Sequence, residues 1–166
     1  MASVSVKALE QAPLDVVTGA YRVSSTVTKI QTENREELQN LSELVRDFVR
    51  SSGVQAGAVI VSSLHTTCAI LINEWQDALI HDVKTHIQGL IASDAYYQHN
   101  DPALSDCDRH NADSHLRSLM LGTTLTLQVA EGELVLGEWQ SVILAELDGP
   151  RERVIRLQAM GVAKDR

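Results

Sequence analysis

Three histidines stand where their side chains could do chemistry. His65 follows an apolar run rich in Val and Ile and precedes two hydroxyl residues, Thr66 and Thr67. His99 lies in a long segment without periodicity, and His115 lies in the opening turn of a short helical pattern. Polar groups inside a buried strand must be hydrogen-bonded, or they cost about 1–3 kcal/mol each. The sequence therefore predicts a functional His65 and a site that His99 and His115 join.

Three neutral imidazoles and a water molecule form a well-known type of open catalytic zinc site. The spacing of these histidines matches no local zinc signature such as HExxH, so the fold would have to bring the ligands together. Because magnesium prefers oxygen ligands, three imidazoles favour zinc. We expect a divalent metal at His65, His99 and His115. The alternative is that each histidine is an ordinary surface residue or a hydrogen-bonded core residue.

Several charged residues could act beside such a metal. Glu74 ends the second apolar run, while Glu146 and Asp148 lie in a late strand and in the turn after it. These carboxylates could orient other ligands or act as general acids and bases, and Asp148 is also an ordinary turn residue. Arg117 or Arg151 could assist a phosphorylated leaving group. The catalytic residues that we expect are Glu74, Asp148 and Arg117.

Composition narrows the classes of partner. The chain has 166 residues and a formal net charge of −8, which argues against a nucleic acid or an anionic membrane as partner. A local pocket could still bind a small phosphorylated metabolite. Cys68 and Cys107 form neither a CxxC motif nor a disulfide framework. The sequence shows no signal peptide and no bilayer-spanning segment, which predicts a cytoplasmic protein.

The hydrophobic pattern predicts the elements that position these residues. Alternation of apolar and polar residues predicts a strand over Tyr21–Gln31. Asn34 and Glu37 fit a capping box, so we expect a helix from Asn34 to Gly53. Further helices are predicted over residues 75–91 and 111–122, two strands over 58–61 and 68–72, and about four strands with hairpin-length links over 123–158.

This order of elements predicts the fold class. A strand, a helix, two strands, two helices and then a group of strands favour an α+β domain with a mixed or antiparallel sheet. Residues 1–19 include Pro13 and are interpreted as a possible N-terminal arm. Residues 20–166 are interpreted as one domain, because typical domains contain about 100–200 residues.

Five motifs together resemble one known family. They are HTTCAILINE at 65–74, YYQHND at 96–101, HNADSHLRSLMLG at 110–122, LVLGEWQ at 134–140 and AELDGPRER at 145–153. In this order they are similar to the YjbQ family, also called the UPF0047 family. The resemblance extends over residues 21–161, nearly the whole chain.

The resemblance implies an α+β domain that assembles as a homotrimer. It also implies a histidine cluster suggestive of a metal site, matched here by His65, His99 and His115, and a weak secondary thiamine-phosphate synthase activity. That reaction joins a pyrimidine pyrophosphate to a thiazole phosphate and releases pyrophosphate. The chain departs from the family pattern at Ala145, where cysteine is common, and in the loop over residues 102–110.

Three hypotheses remain open for the function. The first is a metal-dependent transferase or hydrolase whose physiological reaction is unknown. The second is a non-catalytic trimer that binds a metabolite or a metal. The third is that the histidines hold an ion whose only role is to join the subunits. A zinc ion held by histidines suits hydrolysis better than pyrophosphate displacement, which magnesium normally serves.

Overall fold

Two antiparallel sheets and three α-helices make up the described part of the chain, residues 15–163 of a computed structural model. The strands are β1 Tyr21–Gln31, β2 Glu37–Asn40, β3 Val54–Ser63, β4 Cys68–Asn73, β5 Thr124–Ala130, β6 Glu133–Leu134, β7 Ser141–Glu146 and β8 Glu152–Ala163. The helices are α1 Ser42–Ser52, α2 Asp77–Leu90 and α3 Ala112–Leu121, with a short 3-10 helix at Gln98–Asn100. The predicted α+β class is confirmed.

The larger sheet has the strand order β1-β8-β3-β5-β6, and the smaller sheet has the order β2-β7-β4. All pairings are antiparallel, and among residues 15–163 only β5 and β6 are paired strands that follow each other in the chain. The hairpin-length link predicted between β7 and β8 does not pair them, because they lie in different sheets. Of the predicted arm, residues 1–14 lie outside the described residues, while residues 15–19 belong to no helix or strand. Within residues 15–163, no helix combines the length and the apolar character that crossing a membrane requires.

The core is aliphatic and lies between the two sheets and α1. Alternate residues of β3, including Val59 and Val61, are fully buried, as period-two alternation requires. Val45 and Val49 of α1 pack against them at a helical spacing of four residues. The apolar pattern therefore fixes which face of β3 and of α1 points inward.

The first helix begins later than the sequence predicted. Glu37 accepts hydrogen bonds from the backbone N–H groups of Asn34 at 2.8 Å and Glu33 at 3.0 Å, so the contact expected of a capping box does form. The chain then enters β2, which pairs with β7, and α1 starts only at Ser42. Pairing with a distant strand thus overrides the local helical pattern.

Several chain turns meet at one edge of the two sheets. Cys68 at the start of β4 pairs with Glu146 at the end of β7, and Ser63 at the end of β3 pairs with Ile155 near the start of β8. The loops over residues 64–67 and 147–151 consequently lie side by side. This edge holds the histidine motif and the predicted Asp148 turn.

Candidate active site

Helix α3 is bound to this edge through its small polar residues. Ser114 Oγ donates to the carbonyl of Leu147 at 2.5 Å, and Ser118 Oγ donates to the carbonyl of Cys68 at 2.8 Å. Both serines are buried, so their hydroxyls need these partners. The contacts bring His115, the next residue after Ser114, to the edge where the two loops meet.

His99 and His115 lie next to each other. Their ring centroids are 5.1 Å apart and their planes are almost perpendicular, at 89°. The short 3-10 helix carries His99, and Asn100 Oδ1 accepts a hydrogen bond from the N–H of Ala112 at 3.0 Å, which joins this loop to α3. The two rings line a pocket of about 390 Å³ together with Tyr97, Gln98, Ala112 and Leu116.

The surroundings of His115 favour its neutral form. Burial lowers the pKa of His115, and the charge of His99 lowers it further, while Asp148 and the carbonyl of Thr66 act in the opposite direction. A neutral imidazole can accept a proton or offer a lone pair near neutral pH. His115 also borders a second cavity of about 390 Å³, which is lined by Thr66, Leu116, Ser118, Leu119, Gly122 and Thr123.

His65 is fixed by the neighbouring strand. Its ring Nε2 accepts a hydrogen bond from the backbone N–H of Val154 at 2.8 Å, and the backbone N–H of His65 donates to Ser63 Oγ at 3.2 Å. Burial and the charge of Arg153 lower the pKa of His65. Because Thr66 follows directly and lies beside His115, the loop of His65 borders the pair formed by His115 and His99.

These positions bear on the predicted metal site. Within residues 15–163, no group of three or more His, Cys, Asp or Glu side chains is placed to hold a metal ion. His99 and His115 are adjacent, but Nε2 of His65 is already bonded to Val154. The described chain offers two adjacent imidazoles, one fewer than the three protein ligands of a catalytic zinc site. The metal itself stays a prediction.

Asp148 holds two arginines. Its carboxylate accepts from Nε and Nη2 of Arg109 at 2.9 and 3.0 Å and from Nδ2 of Asn111 at 2.7 Å, and Arg151 Nη2 lies 3.1 Å away. Burial alone would raise the pKa of Asp148, but these hydrogen bonds and charges lower it overall. An ionised carboxylate with occupied oxygens is a poor general base. The geometry therefore favours the orienting role that the sequence left open.

Arg109 is a site residue that the sequence interpretation missed. Its side chain is 42% exposed and that of Arg151 is 32% exposed, while Asp148 between them is fully buried. Two guanidinium groups share this one buried carboxylate, and Asp108, a further carboxylate near Arg109, is exposed to solvent. The pairing spans 39 residues of sequence, so no local pattern around Arg109 could reveal it.

Arg117 is not free for the catalytic role beside a phosphorylated leaving group that was expected of it. The side chain is buried and donates to the carbonyl of Ile91 through Nε at 3.2 Å and Nη2 at 2.6 Å. Nη1 donates to Glu36 at 2.6 Å and lies 3.2 Å from Asp113, the i,i+4 neighbour on α3. Arg117 therefore fastens α3 to the C-terminal end of α2 and has no nitrogen left for a substrate.

Glu74 is not brought to the histidines within one copy of the chain. It follows the last residue of β4, whereas the histidine motif precedes the first residue of that strand. The intervening residues of an extended strand separate Glu74 from Thr67 by roughly 20 Å. Its predicted catalytic role is untested, but it would require contact from another copy.

A buried ion pair between Glu146 and Arg153 connects the segments that form the site. Glu146 accepts from Nε of Arg153 at 2.5 Å, from Oγ1 of Thr32 at 3.0 Å and from the backbone N–H of Asp148 at 2.8 Å. Arg153 in turn donates to Oγ1 of Thr67 at 3.1 Å. This network joins the end of β1, the histidine loop and the Asp148 turn, so it fixes their relative positions.

Comparison with known proteins agrees with the motifs. The family model described as "UPF0047 protein YjbQ-like" matches residues 26–162, which include all of the site residues discussed above. The chain belongs to the YjbQ family. A UPF0047 protein of Methanothermobacter thermautotrophicus is 42% identical over 132 residues, 80% of this chain and 88% of that protein. The YugU protein of Bacillus subtilis is 34% identical over 136 residues, 80% of this chain and 96% of that protein.

Solved structures of similar proteins have the same fold. A YbjQ-like protein of unknown function from Sulfolobus solfataricus aligns with a TM-score of 0.80 at 34% identity, over 86% of this chain and 99% of that chain. A hypothetical protein from Aeropyrum pernix aligns with a TM-score of 0.75 at 28% identity, over 84% and 98%. The family resemblance drawn from the five motifs is therefore confirmed.

Proposed function

We propose that this YjbQ-family protein is an enzyme that uses His99 and His115 for proton transfer on a small phosphorylated metabolite. The observation that carries the proposal is the contact between the two rings at 5.1 Å in one pocket. In such a pair, one imidazole can accept a proton while the other donates one. General acid–base catalysis of this kind contributes about 10²–10⁴-fold to a rate.

The phosphorylated class of substrate is supported by the charge beside the pocket. Arg109 and Arg151 share one buried carboxylate, Asp148, in a protein of net charge −8, while Asp108, the other carboxylate near Arg109, is exposed to solvent. Guanidinium groups bind phosphate oxygens and stabilise the charge that develops on a departing phosphate or pyrophosphate. The proposed weak thiamine-phosphate synthase activity would be a side reaction of such a site.

A metal-bound form of the same site is the second candidate. The adjacent rings of His99 and His115 could hold a divalent transition metal, with zinc favoured by imidazole ligands. The remaining ligands would come from water, from the substrate or from a second copy of the chain. No step of the acid–base proposal depends on this metal.

A homotrimer is part of the proposal. The outer face of α3 exposes Leu119 at 79% and Met120 at 60%, next to the second cavity beside His115. Apolar surface of this kind, adjoining a site, is typical of contacts between protein chains. The alternative function is a non-catalytic trimer that binds a metabolite or a metal, and turnover distinguishes the two.

The test measures turnover in variants of the pair. The wild type, His99→Asn and His115→Asn are assayed for thiamine-phosphate synthesis and with a panel of phosphate and pyrophosphate esters, with and without zinc. We expect either substitution to lower kcat by about 10²-fold or more, because the proton-transfer group is lost. His81→Asn is the matched control, since His81 is exposed on α2 away from the pocket.

Two results would contradict the acid–base proposal. Full turnover in both pair variants would show that the rings do no chemistry. Absence of turnover in the wild type with every substrate would favour the binding protein. Turnover that requires added zinc in the wild type would instead select the metal-bound form.

A further inference from the structure

We infer that His65, Arg109 and Arg151 form a corner that binds a phosphate or pyrophosphate oxyanion, with His65 as a hydrogen-bond donor rather than a metal ligand. The inference rests on the proposed function, because it names how the same site holds its substrate. It is carried by the hydrogen bond of the His65 ring and by the sharing of Asp148 between two arginines. The loops that hold them lie side by side, because the backbone N–H of Leu147 donates to the carbonyl of Thr67 at 3.3 Å.

The hydrogen bond from Val154 fixes the tautomer of His65. A backbone N–H can only donate, so Nε2 of His65 must be the unprotonated acceptor at 2.8 Å. A neutral imidazole carries one proton, which therefore lies on Nδ1. The ring is partly exposed, and its contact with Val154 is the one hydrogen bond that it makes among residues 15–163. Nδ1–H is thus available to a bound acceptor.

The same contact disfavours a metal at His65. A metal ion binds an imidazole through a lone pair, but the lone pair of Nε2 is used by Val154 and Nδ1 carries the proton. Val154 lies in β8, which pairs with both β1 and β3, so its N–H cannot move away with the loop. Metal binding would leave a backbone donor of the sheet without its partner.

The charges at the corner favour an anion. Arg153 is compensated by Glu146, whereas Arg109 and Arg151 share the buried carboxylate of Asp148. Asp108, the further carboxylate near Arg109, is exposed to solvent. Arg109 uses Nε and Nη2 on Asp148, and Arg151 uses Nη2. Nη1 of Arg109 and Nε and Nη1 of Arg151 have no side-chain partner among the described residues. These donors suit oxygens of a phosphate group.

Calorimetric titration with inorganic pyrophosphate tests the corner directly. We expect Arg151→Gln to weaken pyrophosphate binding about tenfold or more, because a charge-assisted contact is lost. Arg156→Gln is the matched control, since it removes the same charge from an exposed position of β8, and we expect it to bind as the wild type does. Malonate, a carboxylate dianion, should bind more weakly than pyrophosphate.

NMR of the histidine ring nitrogens tests the role of His65. In the free protein we expect the tautomer protonated at Nδ1, and we expect pyrophosphate to shift the Nδ1 resonance. Zinc should leave the His65 nitrogens unchanged. Coordination of zinc by His65, or equal pyrophosphate affinity of Arg151→Gln and the wild type, would overturn the inference, as would a preference for malonate.

Failure of this inference and failure of the proposed function are distinguishable. Pyrophosphate affinity is measured without turnover. If binding depends on Arg151 but the protein turns over no substrate, the corner is supported and the proposed function is contradicted. Turnover that depends on His99 and His115, with pyrophosphate affinity independent of Arg151, supports the proposed function and overturns the corner.

Discussion

At the scale of single residues, two buried carboxylates hold the site together. Glu146 and Asp148 are 1% and 0% exposed, and each binds at least one arginine. Glutamate in an alternating strand usually points to solvent, so the burial of Glu146 could not be anticipated from the pattern of β7. Its five acceptor contacts explain why an ionised side chain is tolerated there.

Substitution of Glu146 by Gln should strongly destabilise the fold. The change leaves the guanidinium of Arg153 buried without a compensating charge, which typically costs about 3–5 kcal/mol. Urea unfolding at neutral pH measures the free energy of unfolding. Glu152→Gln is the control, because the pair of Lys29 and Glu152 is 66% and 51% exposed and should contribute about 1 kcal/mol or less. Equal losses in the two variants would contradict a buried ion pair.

Asp148 should give the stability a specific dependence on acid pH. Its pKa is lower in the folded protein than in the unfolded chain, so the stabilisation is full above the unfolded value of about 3.9 and is lost as the pH falls below it. Asp148→Asn should be less stable than the wild type near neutral pH, by about 1–3 kcal/mol. The difference in the free energy of unfolding between Asp148→Asn and the wild type should narrow as the pH approaches about 3.

The measurement for Asp148 is chemical unfolding at a series of pH values. Asp47→Asn is the control, because Asp47 is exposed on α1 and its contact with Arg50 is long, at 3.7 Å. The control should differ from the wild type by about 0.5 kcal/mol or less at every pH. A gap for Asp148→Asn that stays constant down to the lowest pH would refute the linkage.

At the scale of secondary-structure elements, β3 and β8 approach each other closely at a glycine pair. Gly57 lies opposite Gly161, with φ of 157° and 154°. A Cβ on Gly161 would lie 2.1 Å from the carbonyl oxygen of Ala56 and 2.7 Å from the Cα of Gly57. Both contacts are with backbone atoms, so relief would require the two central strands of the larger sheet to separate.

Gly161→Ala should therefore destabilise the protein by about 2–4 kcal/mol, because overpacking and a disfavoured backbone conformation act together. Thermal and urea unfolding measure the loss. Gly89→Ala is the matched control, since Gly89 lies in the last turn of α2 and a Cβ there would meet no atom beyond its chain neighbours and its own helix backbone. We expect the control substitution to raise the free energy of unfolding by about 0.5–1 kcal/mol. Losses of equal size would show that the close approach is unimportant.

The elements themselves were largely predictable, whereas their partners were not. The sequence predicted α3 from Asn111 to Gly122, and the structure has Ala112–Leu121. Asn111, expected to cap that helix, instead donates its side-chain amide to Asp148. The predicted start of α1 was wrong because β2 pairs with β7, a contact between residues about a hundred positions apart. Local patterns carry no information on such pairings.

At the scale of the whole molecule, the site depends on contacts between distant segments. The sequence grouped His65, His99 and His115, and the structure brings the rings of His99 and His115 together. Three features of the site follow from tertiary packing. Arg109 lies beside Asp148, the ring of His65 accepts a hydrogen bond from Val154, and Arg117 is enclosed. Residue type and spacing therefore indicated where the site lies, but not which side chains are free to bind a ligand.

The proposed trimer should depend on the exposed apolar face of α3. We expect Leu119→Lys to reduce the mass measured by light scattering from three chains towards one, because a charge would disrupt an apolar contact that the exposed Leu119 makes between chains in the proposed trimer. Val27→Lys, at a 53% exposed position on β1, is the control and should leave the mass unchanged. A wild type with the mass of a single chain at every concentration would contradict the trimer.

A crystal structure of the wild-type protein grown with pyrophosphate and zinc tests the oxyanion corner and the histidine pair most directly. We expect pyrophosphate in contact with Arg151 and Nδ1 of His65, beside the pocket of His99 and His115, with the hydrogen bond from Val154 to His65 intact. A zinc ion coordinated by His65, His99 and His115 together, or pyrophosphate bound elsewhere on the surface, would contradict this expectation.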